Sequence, residues 1–138
     1  MDDEAPTRSR PWLDRLIRIG GGIVTVWAAT LLAIVESFLV PARIGDAHVP
    51  LAGLIAVVGN VALPLLMLYL TRHRLVALLP GLAWFVVVIM ATSPTSEGDL
   101  IITSMWTGVV LLIAGAGTIA VMGYLLLASG TGRRFEAP

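Results

Sequence analysis

Residues Gly20–Val40 read GGGIVTVWAATLLAIVESFLV, an apolar run broken by a single charge, Glu36. About twenty such residues is the length an α-helix needs to cross a bilayer, so the stretch predicts a membrane span. Every fourth residue gives Gly21, Thr25, Ala29, Ala33 and Ser37, a small-residue stripe of the kind along which membrane helices approach closely. A helix with this face expects neighbours.

Composition points the same way. Of 138 residues, 57% are hydrophobic and 13% charged, with a mean hydropathy of +0.92. Soluble domains carry about 25% charged residues, so the chain reads as an integral membrane protein. Four spans of about twenty residues use most of the chain and leave no room for a soluble catalytic domain. Cysteine is absent, which excludes disulfides, thiolate metal sites and thiol nucleophiles. Nine arginines stand beside no lysine, no glutamine and one asparagine. That bias suggests GC-rich coding and a bacterial source such as an actinobacterium.

Taken in order, residues 1–9 (MDDEAPTRS) are polar and predict a disordered tail. Residues 10–19 place Trp12, Leu13, Leu16 and Ile17 on one helical face and Asp14, Arg15 and Arg18 on the other. They read as a short amphipathic helix at the membrane surface anchored by Trp12, Arg15 and Arg18, or else as an extension of the first span. The first span, 20–40, ends at Pro41. The loop PARIGDAHVP closes at Pro50, and the second span follows at 51–70. A second stripe, Ala52, Ala56, Asn60 and Pro64, runs along that span. The turn Thr71–Arg74 is so brief that spans two and three should be antiparallel neighbours. The third span, 75–91, carries a bulky run from Trp84 to Val88 that predicts lipid contact. After a loop in which Ser96 and Asp99 resemble a helix cap, the fourth span covers 100–127, with Ser104, Gly108 and Gly115 as small positions. Residues 128–138 form a polar tail. The fold class expected is therefore all-α, an integral membrane four-helix bundle.

Arginine placement orients it. Arg8, Arg10, Arg15, Arg18, Arg72, Arg74, Arg133 and Arg134 fall on one side of the spans and Arg43 alone on the other. The positive-inside tendency then puts both termini in the cytoplasm, giving an N-in/C-in multi-pass protein of the bacterial cytoplasmic membrane.

Four polar residues in or near the spans stand out: Glu36, Asn60, Arg43 and Ser104. Ionisable groups inside spans are rare and mark a pathway, a proton site or a buried pair. Glu36 sits about four residues, roughly 6 Å, from the outer end of its span. Two readings stay open for it: a structural partnership with Arg43, Thr103 or Ser104, or proton or cation handling. Asn60, about nine residues or roughly 14 Å from the same surface, reads as an interhelical hydrogen-bond anchor with Thr30 as its partner by depth, or as a substrate ligand. The outer residues Asp46, His48, Glu97 and Asp99 match no metal-ligand spacing and read as solvated loop charge. The glycine runs at 20–22 and 115–117 lack the Lys-Ser/Thr of a phosphate loop. No nucleophile, base and orienting group occur together, so neither an enzyme nor a cofactor is expected, and nothing points to nucleic acid.

With these residues in view, Glu36-x-Phe38-Leu39-Val40-Pro41-x-Arg43-Ile44-Gly45, Gly59-Asn60, Leu79-Pro80 with Ala83-Trp84, and Glu97-Gly98-Asp99-Leu100 resemble small four-span actinobacterial membrane proteins of uncharacterised function. The resemblance covers most of the chain and implies a fold and a compartment but no activity. Small multidrug-resistance transporters also have four spans and a glutamate in the first. Here the glutamate lies near the end of its span, and the arginine bias departs from the dual topology of that family. The function expected is an accessory or scaffold subunit packing with itself or a larger membrane complex. The small-residue stripes serve either that role or the bundle's own cohesion. The alternative is a small oligomeric transporter or channel built around Glu36.

Overall fold

The computed structural model describes residues 11–44, 47–93 and 106–129, and of residues 43, 44, 47 and 48 the backbone alone. The tail at 1–9, residues 130–138, the loop with Ser96 and Asp99, and the expected start of the fourth span with Thr103 and Ser104 lie outside the described residues. What is described is all-helical but for a two-residue antiparallel ladder that sets Arg43 opposite His48 and Ile44 opposite Ala47.

Helix α1, Pro11–Leu39, opens on a proline whose missing N–H falls among donors a first turn leaves unpaired anyway. It stops ahead of Pro41, which disfavours helical backbone at the residue before it. Helix α2, Leu51–Thr71, follows Pro50 and ends where Arg72 enters the left-handed region at φ 54° and donates its N–H to the Leu68 carbonyl at 2.8 Å. A 3-10 turn, Val76–Leu78, leads into α3, Leu79–Thr92, with Pro80 in the first turn. Helix α4 spans Trp106–Ala128. Helices α1, α2 and α4 are each long and apolar enough to cross a membrane; the 3-10 turn and α3 together make a shorter apolar helix.

Residues 10–19 had two readings, a separate surface helix or an extension of the first span. In the structure Pro11–Ile19 runs into the rest of α1 without a break. The run Gly20–Gly22 has poor helix propensity, yet Gly21 packs against Leu70, and Gly22 against Met67 and Thr71. Tertiary contact holds Gly21 and Gly22 helical, while Gly20 has nothing within 4 Å of where a Cβ would stand. All ten residues from Pro11 to Gly20 are exposed, with Arg18 and Ile19 still beside Thr71 and His73 at the end of α2 and the earlier turns extending beyond them.

Contacts fix the directions. Gly21 faces Leu70 while Gly59 faces Leu32, so α1 and α2 are antiparallel. Val26 and Thr30 lie beside Leu79 to Val87, and Ile34 to Phe38 beside Val87 to Ala91, which makes α3 parallel to α1. Gly53 meets Val110 and Val61 lies near Val121, so α4 runs parallel to α2. The up-down-up-down bundle has α1 and α2 as its central pair, α3 leaning chiefly on α1 and α4 on α2. Spans two and three were expected to be antiparallel neighbours. They are antiparallel, but α3 makes its main contact with α1.

The α1 stripe faces inward: Thr25, Ala29, Ala33 and Ser37 are buried and Gly21 partly so. Its hydroxyls bond back along their own helix, Thr25 to the Gly21 carbonyl at 2.7 Å and Ser37 to that of Ala33 at 2.8 Å. Satisfied in this way, they present only small apolar surface to the neighbouring helix. Ala52 and Ala56 on α2 and Gly108 and Gly115 on α4 are buried too. One element departs from expectation. The run Trp84–Val88 was assigned to lipid contact for its bulk, but Trp84 and Val88 are buried, while Phe85 and Val86 are exposed.

Helices α3 and α4 barely touch through their backbones, because the Trp84 ring stands between them with its edge over Gly115. A Cβ at Gly115 would overlap that ring, whereas at Gly117 it would meet nothing within 4 Å. Two substitutions of one chemical type should therefore act in opposite directions. Gly117→Ala is expected to raise the unfolding free energy of the purified protein in mild detergent by up to about 1 kcal/mol, through helix propensity. Gly115→Ala is expected to lower it by about 1–3 kcal/mol through overpacking. Denaturant titration followed by circular dichroism reads both.

Candidate buried polar site

Among the residues that α1, α2 and α4 bury together, Glu36 is the one ionisable side chain, with no exposed surface at all. Its position near the C-terminal end of α1 brings the carboxyl over Gly59 of α2, where a Cβ would lie 3.8 Å from Oε1. From α3 the Trp84 indole reaches in and donates its Nε1–H to Glu36 Oε2 at 2.6 Å. Trp84 is 1% exposed. A buried indole needs an acceptor, and α3 has none to spare because its carbonyls serve its own helix. Ala33, Ala56, Val88 and Leu111 close around the pair. Two glycines thus provide the room: Gly59 leaves space for Leu32 beside the carboxyl, and Gly115 for the ring.

The sequence reading proposed Arg43, Thr103 or Ser104 as partners for Glu36. The side chains of all three lie outside the described residues. The partner found is Trp84, 48 positions away. No ion pair to Glu36 forms among the described residues, and its Oε1 has no hydrogen-bond partner. In surroundings this apolar a hydrogen bond to a carboxyl group is strong, and an unmade one costs correspondingly much.

Asn60, one residue beyond Gly59, is 2% exposed. Thr30, expected as its partner by depth, instead donates its hydroxyl to the Val26 carbonyl at 3.0 Å. Asn60 Nδ2 has no partner among the described residues, and Pro64 has no N–H to donate to the Asn60 carbonyl. Buried Thr107 likewise leaves Oγ1 unpaired. Trp12, Arg15 and Arg18 are exposed on the projecting start of α1. Among the described residues no three acidic or histidine side chains gather as metal ligands would, and the side chains of Asp46, His48, Glu97 and Asp99 fall outside them.

Sequence reasoning missed Trp84 and Gly59. The signal for the first was only partial: an indole that turns inward needs an acceptor on another helix, but the sequence does not say which way it turns, and Trp27 on α1 turns outward. Compared with models of protein families, with known proteins and with solved structures, the chain finds no match, so its chemistry is argued from geometry.

This geometry can hold three helices in one register; it offers no nucleophile or paired acid and base. Trp84→Phe keeps most of the ring and removes the donor, leaving both carboxyl oxygens unpaired. It is expected to lower unfolding free energy by about 1–3 kcal/mol. Glu36→Gln retains a side-chain carbonyl to accept the indole N–H and should cost less. Equal losses from the two in the same detergent titration would contradict the assignment.

Proposed function

We propose that the chain is a four-span protein of a bacterial cytoplasmic membrane that works as an accessory or scaffold subunit, packing against itself or other membrane proteins. Three long apolar helices support the membrane reading. The fourth, Val76–Thr92, is about 26 Å long, which a slightly thinned bilayer accommodates. Arg15 and Arg18 at the start of α1 lie at the same end of the bundle as Arg72 and Arg74, with the backbone of Arg43 at the other. That asymmetry supports cytoplasmic termini. Helix α1 is about 43 Å long against roughly 30 Å of hydrocarbon, so its projecting turns carry Trp12, Arg15 and Arg18 to headgroup level. The resemblance to small four-span actinobacterial proteins belongs to this proposal too, and it brings no enzyme activity, cofactor or nucleic acid with it.

The observation that carries the accessory reading is the sealing of Glu36: the most chemically capable group in the spans is spent on Trp84 inside the bundle. The seam between α3 and α4 offers a place for a partner. It is an open apolar groove of about 540 Å³ bordered by Ala116, Ala120 and Gly123, with buried Gly81 at its base. Small residues facing outward along a groove suit the close approach of another membrane helix. One observation favours the alternative, a small oligomeric transporter or channel using Glu36 as a proton or cation site: Oε1 has no partner among the described residues.

Two measurements separate the readings. Purified from native membranes in mild detergent, the protein should retain a stoichiometric membrane partner or a second copy, and Ala116→Leu with Ala120→Leu should release it. In proteoliposomes neither the natural protein nor Glu36→Gln should move protons above the empty-vesicle rate. A pH-dependent flux that Glu36→Gln abolishes would establish the transporter reading instead.

A further inference from the structure

A second groove opens at the arginine-rich end of the bundle, between α1, the end of α2 and the 3-10 turn, with a volume of about 510 Å³. Gly22, Met67 and Val76 form its floor, and Ile23 and Trp27 stand along its side. Apart from Thr71, whose hydroxyl is turned to the Met67 carbonyl at 2.7 Å, the interior is apolar. Its polar lining is concentrated at one end, where Arg18 and His73 border it. The glycine at 22 creates much of the depth, since a side chain there would fill the space beside Met67 and Thr71.

The polar border is tied to the fold through its backbone. Arg72 closes α2 in left-handed conformation, and the next residue donates its backbone N–H to Thr71 Oγ1 at 3.4 Å. The His73 carbonyl accepts from Ala77 N at 3.1 Å, tying the turn to the 3-10 helix. His73 is thereby held at the groove by anchors on both sides. Arg74 follows, with Nη1 shielded from solvent and no hydrogen-bond partner among the described residues.

We propose that this groove binds an anionic phospholipid, one acyl chain lying along Gly22, Val26 and Met67 and the headgroup phosphate set between Arg18 and His73. Charge complementarity selects this occupant. A transmembrane helix of another protein would bury its apolar face equally well but would leave the Arg18 guanidinium without an anion and the His73 imidazole without a polar partner. A zwitterionic lipid would bring a compensating positive charge to Arg18, Arg72 and Arg74. Basic pockets between helices on the cytoplasmic side are a general means of holding acidic headgroups. The guanidinium of Arg18 is suited to two phosphate oxygens at once, and an imidazole N–H of His73 to another.

The inference rests on the membrane-spanning reading, and the test separates the two. Trp27, 63% exposed in the groove, is a natural reporter, because bromine atoms on an acyl chain quench an indole they touch. Full-length protein carrying Trp12→Phe and Trp106→Phe retains Trp27 and the sealed Trp84, and is reconstituted into vesicles of phosphatidylcholine. Dibrominated phosphatidylglycerol or dibrominated phosphatidylcholine is then titrated in. Quenching of Trp27 should favour the anionic lipid several-fold. Arg18→Gln together with His73→Gln should bring the ratio close to one. Arg15→Gln changes the charge of the same helix end outside the groove and should leave the ratio near its starting value. Equal quenching by the two lipids, or an equal effect of Arg15→Gln and Arg18→Gln, would overturn the site while leaving the membrane reading intact. Protein that fails to float with vesicles after an alkaline carbonate wash would overturn both.

Discussion

A carboxyl group and an indole N–H meet where four apolar helices converge, and the arrangement of the bundle follows from making room for them. Helices α1 and α2 can be drawn together by small side chains alone. Helix α3 has no such stripe, and its orientation depends on Trp84 finding Glu36 across the interface. Without that acceptor the ring would have to carry an unpaired donor inside apolar surroundings, at a cost of about 1–3 kcal/mol. The preference of α3 for α1 over its chain neighbour α2 has this cause.

The remaining contacts are accommodations to the pair. Gly59 and Gly115 are empty where Leu32 and the Trp84 ring are full, so bulk on one helix is matched by its absence on the next. The same exchange explains why α3 and α4 stand apart and leave a groove on the outside. Hydroxyls along α1 bond to their own helix, leaving Glu36, Trp84, Asn60 and Thr107 as the buried polar groups that depend on other elements. Three of those four keep an atom unpaired among the described residues, and polar potential of that kind is expensive in an apolar interior.

Much of this architecture is written locally and could be read from the chain. Apolar length and the prolines at 41, 50 and 80 set where helices begin and end, and both are properties of short windows. Glu36 drew attention because it is the sole charge in its stretch. Its partner could not be found the same way. Trp84 and Glu36 are 48 positions apart, and no periodicity along α3 distinguishes an indole that faces inward from one that faces lipid. The bulk of Trp84–Val88 suggested an outward face, but a polar handle on a large ring outweighs bulk when an acceptor is in reach. The continuity of α1 through Gly20–Gly22 was one of two readings the sequence left open: local propensity disfavours helix there, and packing of Gly21 and Gly22 against α2 overrides it.

Whether Trp84 and Glu36 truly organise the bundle is tested most directly by indole hydrogen exchange. Protein labelled with nitrogen-15 at its four tryptophans and carbon-13 at glutamate, in lipid bilayers, gives one indole resonance for each ring. If the bond holds the helices, the Trp84 Nε1–H persists after transfer to deuterated water long after that of Trp12 has vanished, and it shows a through-space contact to the Glu36 side chain. A Trp84 indole that exchanges as fast as Trp12, with no contact to Glu36, would contradict the structure described here at its centre.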